Sequence, residues 1–184
     1  YKYLNAGPGG IAGCFVHERF AEMHGTADEL ARFAGWWGHD KQTRFLMGPH
    51  FNPIAGAEGW QLSNPPIFQL AALRASMELF DKAGMTPLRK KGDLLTGFLE
   101  FLLREIPDDY CQIITPRNIS ERGSQLSIRV STKPRDLVKR LAAAGAICDF
   151  REPDIVRAAP APLYNSFLDV YKFASLVAEQ AKKR

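Results

Sequence analysis

Apolar residues recur at intervals of three and four along two adjacent stretches in the middle of the chain, which predicts two amphipathic helices. The first is expected to begin after Ser63 or Asn64, to hold two prolines in its first turn, and to end near Gly84. The second is expected to begin at Thr86-Pro87 and to end before the next proline. The predicted buried faces consist of Ile67, Leu70, Leu73, Met77 and Phe80, and of Leu88, Leu95, Phe98, Leu99 and Leu102.

Beyond Pro107 the apolar period changes to two, which is typical of strands. The clearest strand is 125–131, where Leu126, Ile128 and Val130 are expected to face inward. Strands and helices in this order indicate a small α+β domain, a sheet covered on one face by helices. The other predicted elements are strands at 112–115, 146–150 and 155–158, a helix opened by Pro134 and stopped by Gly145, and a last helix that begins after Asn165 or Ser166.

The part of the chain before the first helix is less regular. A short apolar run at 10–16 predicts a buried strand, and 26–33 predicts a short helix capped by its first residue, a threonine. Residues 35–60 are rich in glycine and proline and predict a long irregular loop. Because Trp36 and Trp37 lie between glycines in that loop, the pattern favours the wall of a pocket over ordinary packing.

Composition narrows the class of protein. A chain with 46% hydrophobic and 24% charged residues is globular, and its net charge of +4 is spread along the sequence. The densest basic run, 89–91, has no interleaved aromatic residues, so it indicates a solvated helix face and not a nucleic-acid surface. No apolar run reaches about 18 residues, so no membrane span is expected. We therefore expect a soluble, cytoplasmic protein.

Cysteine and histidine spacing gives no metal site. Cys14, Cys111 and Cys148 are odd in number and far apart, which is typical of buried free thiols in a reducing compartment. The four histidines show no ligand spacing and are expected to be hydrogen-bonded or at the surface.

The first ten residues hold the candidate chemistry. Lys2 lies between Tyr1 and Tyr3 and is followed by the glycine-rich turn 7–10. A buried lysine amine beside a close-packed backbone can capture a carbonyl. By itself the pattern is weak, because a lysine this near a chain end is usually solvated and such a turn is common.

Four segments together carry a resemblance to a known family. In this order, and at fitting separations, they resemble kynureninase, and the match runs nearly end to end. The segments are Tyr-Lys-Tyr-Leu-Asn-Ala-Gly at 1–7, Gly-Trp-Trp-Gly-His at 35–39, Ser-Asn-Pro-Pro-Ile at 63–67, and Ala-Pro-Ala-Pro-Leu-Tyr-Asn-Ser-Phe at 159–167.

The resemblance implies an α/β protein of the aminotransferase-like class, fold type I. Residues 1–106 would form the C-terminal part of the large cofactor-binding domain together with bridging helices, and residues 107–184 a small α+β C-terminal domain. It further implies a cytoplasmic homodimer whose subunits share the active site. The chain would be the C-terminal part of the enzyme, with the segments that bind the cofactor phosphate, stack on its ring and pair with its pyridine nitrogen outside it.

The implied activity is hydrolysis of a carbon–carbon bond in tryptophan catabolism and NAD biosynthesis. The substrate would be L-kynurenine or 3-hydroxy-L-kynurenine, and the products anthranilate or 3-hydroxyanthranilate and L-alanine. The implied cofactor is pyridoxal 5′-phosphate, held by Lys2 as a Schiff base, after which the same lysine moves the proton of the substrate α-carbon. The resemblance assigns Tyr1 a hydrogen bond to the cofactor phosphate and a proton for the departing carbanion.

Four further residues receive binding roles from the same resemblance. Trp36 and Asn64 match positions that contact the cofactor, near its phosphate and across the dimer interface. Asn64 also matches an amide that can pair with the 3-hydroxyl of the substrate, and Trp37 a position that faces the substrate ring. Arg157 would bind the substrate α-carboxylate, for which a permanently charged, bidentate guanidinium is suited.

Two other interpretations stay open. A cysteine desulfurase also has a lysine before a Gly-Pro-x-Gly turn, but it would give no reason for the tryptophan pair and needs a mobile reactive cysteine, whereas Cys111 adjoins a predicted strand. The other is a non-catalytic fragment or docking subunit, which would need a separate N-terminal partner chain to complete the site.

Overall fold

The computed structural model describes residues 1–20 and 32–183, which divide into two units, Tyr1–Leu79 and Phe80–Arg184. The predicted helices beyond residue 63 and all four predicted strands beyond residue 107 are present. The domain boundary predicted at 106/107 stays a prediction. The elements are α1 (Ile67–Ala83), α2 (Met85–Leu103), β1 (Cys111–Ile113), β2 (Leu126–Val130), α3 (Pro134–Ala143), β3 (Asp149–Arg151), β4 (Ile155–Ala158) and α4 (Phe167–Ala181).

The second unit is built on an antiparallel sheet with the strand order β1-β2-β4-β3. Leu126, Ile128 and Val130 are buried, as the alternation predicted, because successive side chains of a strand point to opposite faces. They pack in one core with apolar side chains of α2, α3 and α4. This arrangement confirms the α+β class predicted for this part of the chain.

Local chemistry fixes the ends of the helices in this unit. Ser166 accepts a hydrogen bond from the Asp169 amide while the Asp169 carboxylate accepts one from the Ser166 amide, which forms a capping box at the start of α4. Pro134 opens α3, where its missing N–H costs nothing. Gly145 follows α3 with φ 84°, a conformation that only glycine adopts without strain.

A buried ion pair ties the loop between β1 and β2 to α2. The Arg122 side chain is 2% exposed, and its Nη1 lies 2.6 Å from Glu100 Oε2. Arg104 adds a second contact of 2.7 Å to the same carboxylate. Burial opposes the charge of Glu100, but the hydrogen bonds from Arg104 and Arg122 outweigh it and lower the pKa of the carboxyl. Glu100 therefore stays ionised at neutral pH and anchors the loop.

One prediction for the first unit is wrong, and a second is confirmed only in part. Residues 10–16 form no strand, since a strand needs a neighbour for its hydrogen bonds and the described residues of this unit contain only one isolated bridge, His39 with Pro53. The predicted apolar face of α1 is buried only in part: Leu70, Leu73 and Phe80 are half-buried, whereas Ile67 is 65% exposed and Met77 45% exposed.

Two further predictions for this region have mixed outcomes. Most of the predicted helix 26–33 lies outside the described residues, and Arg32 and Phe33 are not helical. Cys14 lies in the irregular segment and is exposed, so its predicted burial is wrong, whereas Cys111 is buried and Cys148 half-buried. All three are free thiols, as predicted.

In the described ranges no helix is both long and apolar enough to cross a lipid bilayer.

Candidate functional site

The N-terminal segment is a pair of tight turns that places Lys2 next to Tyr1. The Gly10 amide donates to the Gly7 carbonyl at 3.0 Å, and a Cβ on Gly10 would come within 2.8 Å of the Tyr1 Cβ. The chain thus folds back on its own start, and only glycine fits at position 10. The Lys2 Nζ lies 5.5 Å from the centre of the Tyr1 ring, within cation–π range. Lys2 and Tyr1 are both exposed in this chain.

The long loop predicted at 35–60 is present and contains only short 3₁₀ turns and irregular segments. Three close backbone contacts hold it together, each at a glycine. A Cβ on Gly35 would lie 2.2 Å from the Leu62 Cα, one on Gly38 would lie 2.4 Å from the Gly59 carbonyl oxygen, and one on Gly59 would lie 2.2 Å from the Ile54 oxygen. Side chains at these positions would force the backbone segments apart.

This glycine-closed loop presents the tryptophan pair. The rings of Trp36 and Trp37 meet edge to face with centres 5.6 Å apart, and Phe45 meets Trp36 in the same way at 5.6 Å. Trp36 is 47% exposed, and Trp37 is half-buried. An exposed indole of this size at the rim of a rigid loop is suited to contact a ligand.

Arg44 supports both rings from one side. Its guanidinium carbon lies 4.8 Å from the centre of the Trp37 ring and 5.5 Å from that of Trp36. It also donates hydrogen bonds to the carbonyl oxygens of Trp37, at 2.8 Å, and His39, at 3.1 Å. The sequence analysis did not single out Arg44, although an arginine a few residues after an aromatic pair is the available signal for such stacking.

Asn64 is exposed and precedes the two prolines before α1. The first backbone bond of the helix runs from the Leu70 amide to the Pro66 carbonyl at 3.0 Å. The helix therefore begins at Ile67, and the prolines precede it instead of lying in its first turn. Asn64 stands before that helix, with its amide open to solvent.

Arg157 lies in the second unit, in the central strand β4, and contacts a carboxylate of the neighbouring strand. Asp149 of β3 is its direct cross-strand partner, and the Arg157 Nη2 donates to Asp149 Oδ2. The Arg157 Nε is buried and has no hydrogen-bond partner in the part of the chain that the structure describes. Hydrogen bonding from Arg157, opposed by some burial, lowers the pKa of Asp149, and Arg151 at 3.0 Å adds to that effect.

The sequence-predicted site residues thus fall into two units. Lys2 contacts Tyr1, and Trp36 contacts Trp37, all in the first unit. Arg157 lies in the second and contacts Asp149, which the sequence analysis missed because strand register decides that pairing. Among the described residues no group of three or more His, Cys, Asp and Glu side chains could hold a metal ion.

The buried thiols lie outside these contacts. Burial, with a smaller effect of Asp108, raises the pKa of Cys111 to about 12. Burial, with a smaller effect of Asp149, raises the pKa of Cys148 to about 11. Both sulfurs are protonated at neutral pH and are poor nucleophiles.

Comparison with known sequences gives a consistent result. Residues 88–177 match the family model described as the kynureninase C-terminal domain. Three curated relatives are named kynureninase: those of Myxococcus xanthus (63% identity over 100% of this chain and 42% of the relative), Koribacter versatilis (61%, 94% and 40%) and Xanthomonas oryzae (55%, 96% and 41%). The chain therefore spans about 40% of the length of these relatives.

Solved structures add the fold. A cysteine desulfurase of Thermococcus onnurineus superposes with a TM-score of 0.65 at 18% identity, over 84% of this chain and 40% of that one. A second cysteine desulfurase, from Escherichia coli, superposes with a TM-score of 0.64 at 16% identity, over 83% and 38%. These likenesses confirm the predicted aminotransferase-like fold.

Proposed function

Because the chain belongs to the kynureninase family, we propose that it supplies the C-terminal part of an enzyme that hydrolyses L-kynurenine or 3-hydroxy-L-kynurenine. The products are anthranilate or 3-hydroxyanthranilate and L-alanine. The observation that carries the proposal is 63% identity to a curated kynureninase along the whole of this chain. The complete enzyme acts as a cytoplasmic homodimer with a shared active site.

The side chains at the proposed site suit pyridoxal 5′-phosphate. The aldehyde of the cofactor requires a nucleophile, which is the amine of Lys2. The phosphate requires hydrogen-bond donors, which are the phenol of Tyr1, the indole of Trp36 and the amide of Asn64. When bound, this cofactor supplies an electron sink for the α-carbon of an amino acid substrate. Lys2 would hold the cofactor at its aldehyde, and its amine would accept the proton from the substrate α-carbon.

Lys2 has to be shielded from water for that role, because an ammonium group cannot attack a carbonyl. In these 184 residues Lys2 is exposed. The proposal therefore requires that other protein segments of the complete enzyme cover it. The tight turn over residues 7–10 fixes the backbone beside the lysine, so that the amine is presented at a defined place.

The remaining residues bind and orient. Trp36 and Asn64 would contact the cofactor, and Trp37 would pack against the substrate ring. Asn64 also hydrogen-bonds the 3-hydroxyl when the substrate carries one. Arg157 binds the α-carboxylate, which is supported by the 30% exposure of its side chain. Tyr1 donates a proton to the departing carbon.

A cysteine desulfurase activity is disfavoured, although the fold likeness concerns such enzymes. Cys111 and Cys148 are held as protonated thiols, whereas sulfur transfer needs a thiolate. Cys14 is exposed and stays as the candidate to test. The exposure of Lys2 also supports the other open interpretation, in which the chain needs a separate partner chain to complete the site. In that case the isolated 184 residues fail to bind the cofactor and the complete protein binds it.

The test uses the complete protein that contains this chain, loaded with pyridoxal phosphate. We expect release of anthranilate from L-kynurenine and of 3-hydroxyanthranilate from 3-hydroxy-L-kynurenine. The fluorescence of the product measures each reaction. Lys2→Ala is expected to abolish both activities. Asn64→Ala is expected to reduce kcat/KM for the 3-hydroxylated substrate more than for L-kynurenine, because only that substrate offers a hydroxyl.

Lys41→Ala is the matched control, since Lys41 is also an exposed lysine of the first unit. It is expected to keep wild-type activity. Normal turnover by Lys2→Ala would contradict the assignment of the lysine. A wild-type protein that forms L-alanine from L-cysteine, with sulfide liberated by an added thiol reductant, and that releases no aromatic product would support the desulfurase instead.

A further inference from the structure

We propose that Asp149 is a positioning residue for recognition of the substrate α-carboxylate: it holds the Arg157 guanidinium in one orientation and leaves part of it free for a second carboxylate. The inference rests on the proposed function, because it takes Arg157 as the carboxylate ligand. Its basis is the pairing of these two side chains across strands β3 and β4.

The pairing is set by the backbone of the sheet. Asp149 and Arg157 are opposite each other in the antiparallel register of β3 and β4, so their side chains lie on the same face. On the other side of β4, the residue opposite Arg157 is Ser127 of β2, which adds no charge. Asp149 is thus the carboxylate that the sheet places beside this arginine.

The contact leaves donors for a ligand. Asp149 accepts from Nη2 of the guanidinium, and the Nε is buried and out of reach of solvent, so the donors left for a ligand are the remaining N–H groups of the two Nη atoms. A guanidinium has five N–H groups and can bind two carboxylates on different edges. The Arg157 side chain is 30% exposed, so one edge is open to a small molecule.

The charges around Asp149 favour an added anion. Its Oδ2 lies against two guanidinium groups, those of Arg157 and Arg151, the latter at 3.0 Å. Two arginines and one aspartate leave one positive charge uncompensated. A substrate carboxylate carries the single negative charge that neutralises it.

Fixing Arg157 before binding also reduces the loss of freedom on binding. A long arginine side chain has many rotamers, and ordering it when a ligand arrives weakens affinity. A carboxylate attached to the neighbouring strand does this ordering in advance. Removal of Asp149 is therefore expected to weaken recognition of carboxylates even though it adds net positive charge.

The experiment compares ligands with and without a carboxylate in the complete, cofactor-loaded enzyme. Asp149→Ala is expected to raise KM for L-kynurenine roughly tenfold, with kcat changed by less than about twofold. Asp149→Asn, which preserves shape and one acceptor, is expected to have an intermediate effect. The affinity for kynuramine, the decarboxylated counterpart of L-kynurenine, is measured from the cofactor absorbance and is expected to stay unchanged in both variants.

Asp154→Ala is the matched control, because Asp154 lies in the turn between β3 and β4 and pairs with Arg129 of β2 at 3.5 Å, not with Arg157. It is expected to leave KM unchanged. Equal loss of affinity for both ligands in the Asp149 variants would show a structural role and overturn the inference. A lower KM would overturn it too, because Asp149 would then compete with the substrate.

Failure of the proposed function gives a different result. If the wild-type protein does not turn over L-kynurenine, the proposed activity is wrong. The role of Asp149 is then decided by the binding of L-alanine and of ethylamine, which lacks the carboxylate. Cofactor absorbance measures the binding of both ligands. The inference holds if the Asp149 variants weaken only L-alanine binding, and it fails if they weaken both or neither.

Discussion

Gly38→Ala tests whether the glycine-closed loop is what presents Trp36 to the cofactor. The added Cβ would lie 2.4 Å from the Gly59 carbonyl oxygen and 2.9 Å from the Gln61 oxygen, both of them backbone atoms that cannot rotate away. The Gly38 carbonyl also accepts a bond from the Ile54 amide at 2.8 Å, so relief of the clash would strain that bond.

Overpacking of this kind costs about 1–3 kcal/mol, which corresponds to a roughly five- to hundredfold lower population of the native loop. If Trp36 contacts the cofactor, the dissociation constant for pyridoxal phosphate should rise within that range. Titration of the apoenzyme measures the constant. Near-ultraviolet circular dichroism reports the Trp36–Trp37 edge-to-face pair independently of the cofactor.

Gly48→Ala is the matched control, since its Cβ would meet nothing within 4 Å and the residue lies in the same loop. It is expected to change neither the dissociation constant nor the dichroism. If Gly38→Ala binds the cofactor as tightly as Gly48→Ala while its dichroism changes, Trp36 does not contribute to the cofactor site. If neither property changes, the close contact at Gly38 is wrong.

Two further predictions concern the second unit and the thiols. Arg122→Met should destabilise the unit by about 3 kcal/mol, because it leaves the buried Glu100 carboxylate with less compensation. The stabilisation by the ion pair is present above the ordinary Glu100 pKa of 4.5 and is lost as the pH falls through the lowered value. Hydrogen exchange of the α2 amides should therefore be faster in the variant than in the wild type at neutral pH, and the difference should disappear in strong acid. Iodoacetamide at neutral pH should label Cys14 well before Cys111 and Cys148, whose raised pKa values keep them protonated, and peptide mass spectrometry measures the order. Equal labelling rates would contradict the burial of the two thiols.

The sequence predicted the second unit well because its signals are local. Alternation at Leu126, Ile128 and Val130 marks a strand with one buried face. Pro134 marks the start of α3, and Ser166 marks the start of α4. Each of these signals depends on residues within one turn or one strand. These elements could therefore be predicted without knowing which distant residues they contact.

Predictions that depend on distant partners did less well. The apolar run at 10–16 has the composition of a strand, but no neighbouring strand is present among the described residues of its unit. Glu100 lies within the largely apolar stretch 94–103, and its partner Arg122 lies 22 residues further along, so the sequence gives no local signal of the pair. Asp149 and Arg157 become neighbours through strand register. Pattern reasoning supplies residue types, and pairing of this kind requires the fold.

The most direct measurement of the central claim is identification of the lysine that holds the cofactor. The complete, cofactor-loaded protein is reduced with borohydride, digested, and its peptides are analysed by mass spectrometry. The account predicts a single pyridoxyl-modified peptide, with the label on Lys2 and none in the Lys2→Ala variant. A label on another lysine, or a cofactor that dialysis removes after reduction, would contradict it.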